Sequence, residues 1–68
     1  MEFSHVIIDL SGPEELVERL RELGFSPGEN IKILRQFPFR GPWVLMTSQG
    51  MVALRNEEFQ CLKVQKKD

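Results

Sequence analysis

With one histidine, His5, and one cysteine, Cys61, this chain of 68 residues has few ways of doing chemistry. A metal site needs several convergent ligands, commonly Cys, His or clustered carboxylates. Neither C-x-x-C nor H-x-x-x-H spacing occurs. His5 therefore reads as a surface or edge residue and Cys61 as a small buried hydrophobe in the last strand. As a nucleophilic pair they lack an orienting third group, and so short a chain leaves little room for a water-excluding pocket. Glu57 and Glu58 are neighbours in one turn, so they point apart and read as solvated, not as an acid–base pair. No G-x-x-x-x-G-K-[ST] loop is present to cradle a nucleotide. The expectation is a protein without catalytic residues, without a metal site of its own and without a cofactor.

The residue types that remain are those of recognition. Phe37-Pro38-Phe39-Arg40-Gly41-Pro42-Trp43 places three aromatics, two prolines and an arginine within one loop. Prolines lower the entropic cost of presenting a shape, and aromatics and Arg dominate interface hot spots. Two readings stand side by side. Either the whole loop is an interface, or Phe37 and Trp43 close the core and only Phe39 and Arg40 protrude. A hairpin centred on Arg40 sets Leu34 against Met46 and Phe37 against Trp43. With Ile31, Ile33, Trp43 and Leu45 turned inward, Leu34, Val44 and Met46 fall on the opposite face. An apolar stripe there marks a partner site or a dimer contact, unless the helix or the tail covers it.

Those residues must be positioned by short elements. Phe3–Leu10 reads as a strand with Ser4, Val6, Ile8 and Leu10 on its core face. A helix follows. Ser11 stands three residues before Glu14, the capping-box spacing, while Gly12 with Pro13 at the first helical position is the alternative start. Leu16, Leu20 and Leu23, with Val17 beside them, make one apolar stripe. Gly24 stops the helix and Phe25 packs back onto Leu20. Ser26-Pro27-Gly28-Glu29 fits a type II turn. Strands are expected over 31–37, 43–48, 51–55 and 60–64, with a helical turn capped by Asn56 and a frayed tail over 65–68. Five short strands and one helix suit a small, strongly bent antiparallel barrel, the helix inserted after the first strand and covering one opening.

Bulk properties narrow the field. A chain this short makes a single domain, 1–68, with marginal stability. Its formal net charge of −1 argues against a nucleic-acid binder, which needs a basic footprint. The charge is polarised: residues 29–68 hold seven basic and four acidic side chains, while the first 28 are acidic. Such polarity orients a docking partner. A lone cysteine fits a reducing compartment, and apolar runs of at most four residues span no membrane, so the expected location is the cytoplasm.

Leu20-Arg21-Glu22-Leu23-Gly24-Phe25-Ser26-Pro27-Gly28 resembles the L-x-E-L-G-[LF]-x-P-G signature of the FeoA family. Pro38, Gly41 and Pro42, then Ala53-Leu54-Arg55 with Glu57-Glu58, and the closing Leu62 and Val64 resemble its later blocks in the same order. The resemblance implies an SH3-like, mostly β barrel of five strands. It also implies a cytoplasmic accessory of bacterial ferrous iron uptake, partnered with the GTP-binding domain of the FeoB transporter and reaching the membrane only through that partner. Family members usually carry a leucine-rich segment before the first strand, for which only Met1–Ser4 stands here. The same module closes iron-responsive, metal-dependent repressors. A free-standing chain with its own Met1 and no helix-turn-helix favours the transport accessory. Self-association stays open. Arg40, then Arg35 and Arg55, are the candidates for an arginine acting on the partner's GTP turnover.

Overall fold

The computed structural model describes residues 2–67. Strand β1 (His5–Leu10) leads to helix α1 (Glu14–Glu22), then β2 (Asn30–Gln36), β3 (Trp43–Thr47), β4 (Gly50–Leu54), the single turn α2 (Asn56–Phe59) and β5 (Leu62–Lys66). The strands form one antiparallel sheet in the order β4-β3-β2-β1-β5, the wrapped ribbon of an SH3-like barrel. Edges β4 and β5 are joined by α2, not by a ladder.

The core is built from residues drawn from every element. Phe25, Ile7, Leu20, Ile31, Leu45 and Leu54 are almost wholly removed from water. Each such side chain contributes about 1.5–3 kcal/mol by burial, so a handful of them carries a domain of this size.

Helix α1 ends as its sequence dictates. The Phe25 amide donates to the Leu20 carbonyl at 2.9 Å and the Gly24 amide to Arg21 at 3.0 Å, with Gly24 at φ 97°. This is the Schellman pattern, which needs a left-handed residue and therefore selects glycine. The type II turn also forms: Glu29 donates to the Ser26 carbonyl at 3.1 Å across Pro27-Gly28. The start of α1 differs from the capping-box expectation. Pro13 is the cap residue and no side chain caps the helix, so Ser11 and Glu14 do not pair. Instead the Pro13 carbonyl accepts both the Leu16 and Val17 amides at 3.0 Å.

Two bulges account for the strand faces that differ from expectation. In β1, Ile7 is buried and Ile8 is 45% exposed, the reverse of the expected face. The β1–β5 register slips between Ile7 and Asp9, which lets Ile7 and Leu10 both point inward although they are three apart. In β2 the slip falls between Ile33 and Arg35, so Met46 lies opposite Lys32, and Leu34 is the looped-out residue, not the partner of Met46. Leu23, expected in the buried helix stripe, sits at the helix end and is 44% exposed. Strand β5 runs past Val64: Gln65 and Lys66 pair with Val6 and His5, and the Lys67 amide donates to the Ser4 carbonyl at 2.9 Å. Asp68, the end of the expected frayed tail, and Met1 lie outside the described residues.

Candidate interaction site

The loop between β2 and β3 closes on itself through its backbone. The Phe37 amide donates to the Pro42 carbonyl and the Gly41 amide to the Pro38 carbonyl, both at 3.1 Å. A four-residue turn results, with Phe39 (φ 58°) and Arg40 (φ 61°) at its centre. Positive φ at both central positions is the geometry of a tight hairpin turn that normally selects Asn and Gly. Here two bulky residues occupy it, at a cost of order 1–2 kcal/mol each. The neighbouring glycine is a matter of space: a Cβ on Gly41 would lie 2.7 Å from the Cβ of Phe37. The chain thus accepts strain to hold Phe39 at 98% exposure with Arg40 beside it. Phe37 stays half-buried under the Arg35 guanidinium, 4.6 Å from its ring centre. Trp43 belongs to the barrel: it stacks on Phe59 with ring centres 3.8 Å apart and 8° between planes. Its indole N–H donates to Asn56 Oδ1 at 3.1 Å.

Phe39 and Arg40 point outward and Trp43 packs on the core, as the second sequence reading had them, but Phe37 lies half-buried beneath Arg35 and is not part of the core cluster. From the base of the loop an apolar surface runs along the outer face of β3 and β4. Val44 faces Ala53 and Met46 faces Met51 across the pair. Val44 and Met46 are half-buried, Ala53 is exposed, and Met51 is 65% exposed. Leu34, 40% exposed, projects from the bulge nearby. Met51 was missed in the sequence reading. Its signal was available, since a two-residue turn at Ser48-Gln49 sets Met51 against Met46 by register.

Several of the signature residues shape the fold, while Leu23 and Ala53 are exposed. Gly24 and Phe25 end α1, Pro27 and Gly28 make the turn, and Leu54 is buried. The exposed Arg55 side chain leaves its backbone N–H to donate to Glu58 Oε1 at 2.8 Å. Glu58 corrects the sequence reading of a solvated pair: it is 7% exposed, and Arg19 Nε lies 3.0 Å from its Oε2. This carboxylate ties α1 to α2, with Glu57 exposed beside it. Leu16, Arg19, Arg55, Glu57 and Glu58 line an open cleft of about 210 Å³. Its buried carboxylate is already satisfied by Arg19 and the Arg55 amide. Burial pushes the Cys61 thiol up from the ordinary range, and the nearby Glu58 carboxylate pushes it the same way. His5 Nδ1 meets only Ser4 Oγ, at 2.9 Å, among side chains. Among the described residues no three His, Cys, Asp or Glu side chains converge.

The FeoA domain model matches residues 4–66. This chain belongs to the FeoA domain family. FeoA domains are non-catalytic accessories of ferrous iron transport. Among solved structures, one similar to this chain is an iron uptake regulatory protein, FeoA, at 20% identity and TM-score 0.82, covering 96% of this chain and 87% of that one. Another is iron(II) transport protein A from Clostridium thermocellum, at 31% identity and TM-score 0.81, covering 94% of this chain and 40% of that one. The manganese regulator SloR shares the fold at 12% identity and TM-score 0.80, covering 98% of this chain and 32% of that one. The curated proteins offer no match to the chain.

Proposed function

We propose that this FeoA domain regulates bacterial ferrous iron uptake by docking on the cytoplasmic GTP-binding domain of the FeoB transporter. It carries out no reaction itself. The observation that carries the reading is Phe39: a large apolar side chain, 98% exposed, held outward by a backbone conformation that costs energy. Strain kept at a surface position that buries nothing is the signature of a site selected for contact. Arg40 supplies a cation beside it, and Phe37, Leu34, Val44 and Met46 extend the contact inward. Both termini of the transport hypothesis, family membership and an exposed anchor, point the same way. Among the described residues no helix is long and apolar enough to cross a membrane, so contact with one runs through the partner in this reading.

The test is a binding titration of the full chain against the purified GTP-binding domain of FeoB, with and without a non-hydrolysable GTP analogue. Phe39→Ala is expected to weaken binding at least about tenfold, as hot-spot aromatics do. Met46→Asp is expected to do likewise, with thermal unfolding run in parallel because Met46 is half-buried. Unchanged binding in both variants refutes this surface. Arg40→Ala reports separately on whether GTP turnover in the partner uses the loop arginine. The regulatory-module alternative, kin to metal-dependent repressors, draws support only from the fold shared with SloR.

A further inference from the structure

The outer face of the β2–β3–β4 ribbon sorts its side chains by type. Ile31, Ile33, Trp43, Leu45, Val52 and Leu54 belong to the core or pack against it. The residues between them point to the opposite face. There the register aligns two cross-strand rows, Lys32–Met46–Met51 and Arg35–Val44–Ala53. Read along the strands, the same six residues make three columns: cations on β2, Val44 and Met46 on β3, Met51 and Ala53 on β4. The bulge at Leu34 brings Arg35 into the column of Lys32 although the two are three apart in sequence.

Both halves of this face lack a counterpart. Met51 and Ala53 are exposed, and Val44 and Met46 are half-buried. Among the described residues neither Lys32 nor Arg35 enters a salt bridge. From Asn30 to Asn56 the chain has no Asp or Glu, so these strands hold no carboxylate to answer the cations.

Dimensions say what fits. Neighbouring strands lie about 4.8 Å apart, and residues two apart in a strand about 6.7 Å. A helix about 10 Å across, lying along the strands, covers the β3 and β4 columns and sets one flank over β2. Its side chains at i and i+4 are about 6 Å apart along the axis, close to the spacing of the two rows. A strand added at the open edge of β4, which carries no charge, would lie two strands away from the cations and could not meet them. Helix α1 of a second copy does not fit either. Its exposed residues are Glu14, Glu15, Glu18, Arg19, Arg21 and Glu22, which bring carboxylates but no apolar stripe.

We infer, with the docking proposed above as premise, that this face receives an amphipathic helix of the partner protein. The helix lays its apolar stripe on Val44, Met46, Met51 and Ala53 and carries Asp or Glu along the flank that overlies Lys32 and Arg35. Flexible methionine side chains adapt to such a stripe, as in other surfaces that take helices. Because the cations stand on one side only, they select which flank of the helix is acidic.

The test uses the full chain labelled with ¹³C at the methionine methyls, so that Met46 and Met51 report directly. The probe is a capped peptide of about eighteen residues, long enough to be helical. It carries Leu at i, i+4 and i+7 spacing with Glu directly after each Leu, which places the carboxylates on one flank. One counterpart has Lys for every Glu. Another has the same composition with Leu and Glu alternating, the pattern of a strand. The helical acidic peptide is expected to shift the Met46 and Met51 methyls saturably and to bind at least about tenfold tighter than either counterpart. Lys32→Gln with Arg35→Gln is expected to erase the preference for Glu over Lys, a ratio that a general loss of stability does not mimic. Met51→Asp, at an exposed position, is expected to weaken the acidic peptide about tenfold or more. Absence of binding, equal binding of the Lys peptide, tighter binding of the alternating peptide, or a preference that survives the double variant overturns the helix. So does a concentration-dependent dimer of the chain that Met51→Asp abolishes, which makes a second copy the occupant. Docking on FeoB is judged by its own titration, so the two failures are read separately.

Discussion

Phe39→Gly separates stability from recognition at one position. Phe39 and Arg40 both occupy the left-handed region, where an L side chain costs about 1–2 kcal/mol because Cβ crowds the following carbonyl. Glycine removes that cost but brings extra freedom to the unfolded chain, worth about 0.5–1 kcal/mol against folding. Nothing is lost in packing, because the ring is 98% exposed. The balance is a gain of about 0.5–1 kcal/mol, which for a domain this small is a rise in Tm of about 3–6 °C. Phe39→Ala keeps the Cβ and with it the strain, so it should leave stability within about 0.5 kcal/mol of the parent. Urea unfolding followed by the fluorescence of Trp43, the single tryptophan, measures both. The pair of variants should weaken partner binding alike while differing in stability. If glycine destabilises, or if alanine stabilises as much as glycine, the turn is not strained and the argument for a selected contact fails with it.

Removing the carboxylate in Glu58→Ala strips a buried acceptor from the Arg55 amide and unties Arg19. Losing the capping bond costs about 0.5–2 kcal/mol. The ion pair adds at most about 1 kcal/mol, because the Arg19 side chain is 68% exposed. A urea midpoint lowered to match about 1–3 kcal/mol is expected, and Glu58→Gln should recover much of it by keeping the acceptor. Cys61 gives a pH dependence. Its thiol is held above the ordinary range in the folded chain, first by burial and then by Glu58. The unfolded thiol ionises first, near pH 8.5, so stability is intact below that value and falls as pH climbs toward the folded pKa. Cys61→Ala should flatten unfolding free energy between about pH 8 and 10 relative to the parent; an identical slope in both refutes the assignment.

Local signals made most of the fold legible. Gly24 ends α1 and Pro27-Gly28 turns the chain because one backbone geometry suits each residue type, and both can be read from the residue itself. The misplaced faces share another cause. Strand phase was read with a strict period of two, but a bulge shifts the phase by one residue, and nothing in Val6-Ile7-Ile8 or Ile33-Leu34-Arg35 marks where. Partners distant in sequence decide it: Lys63 opposite Asp9 in the first case, Val44 opposite Arg35 in the second. Glu58 was misread for the same reason. An adjacent acidic pair looks solvated until α1 brings Arg19 over one member. At the candidate site the residue types of the loop named Phe39 and Arg40 correctly as protruding, whereas the open edge of β4 is a property of topology alone.

That edge and the tip loop obey a common electrostatic logic. The acidic side chains are confined to the first 29 residues, to Glu57 and Glu58, and to the last residue, so the near-neutral total conceals an acidic α1 and a basic β2–β4 hairpin pair. Neutral totals favour self-association, and an unguarded strand edge invites it. Gathering the cations on β2, at the loop tip and just after β4 gives that part of the chain one sign of charge, so two copies meeting there repel. Reversing it locally tests that logic: Lys32→Glu with Arg35→Glu should raise self-association measured by sedimentation, and an unchanged monomer population refutes it.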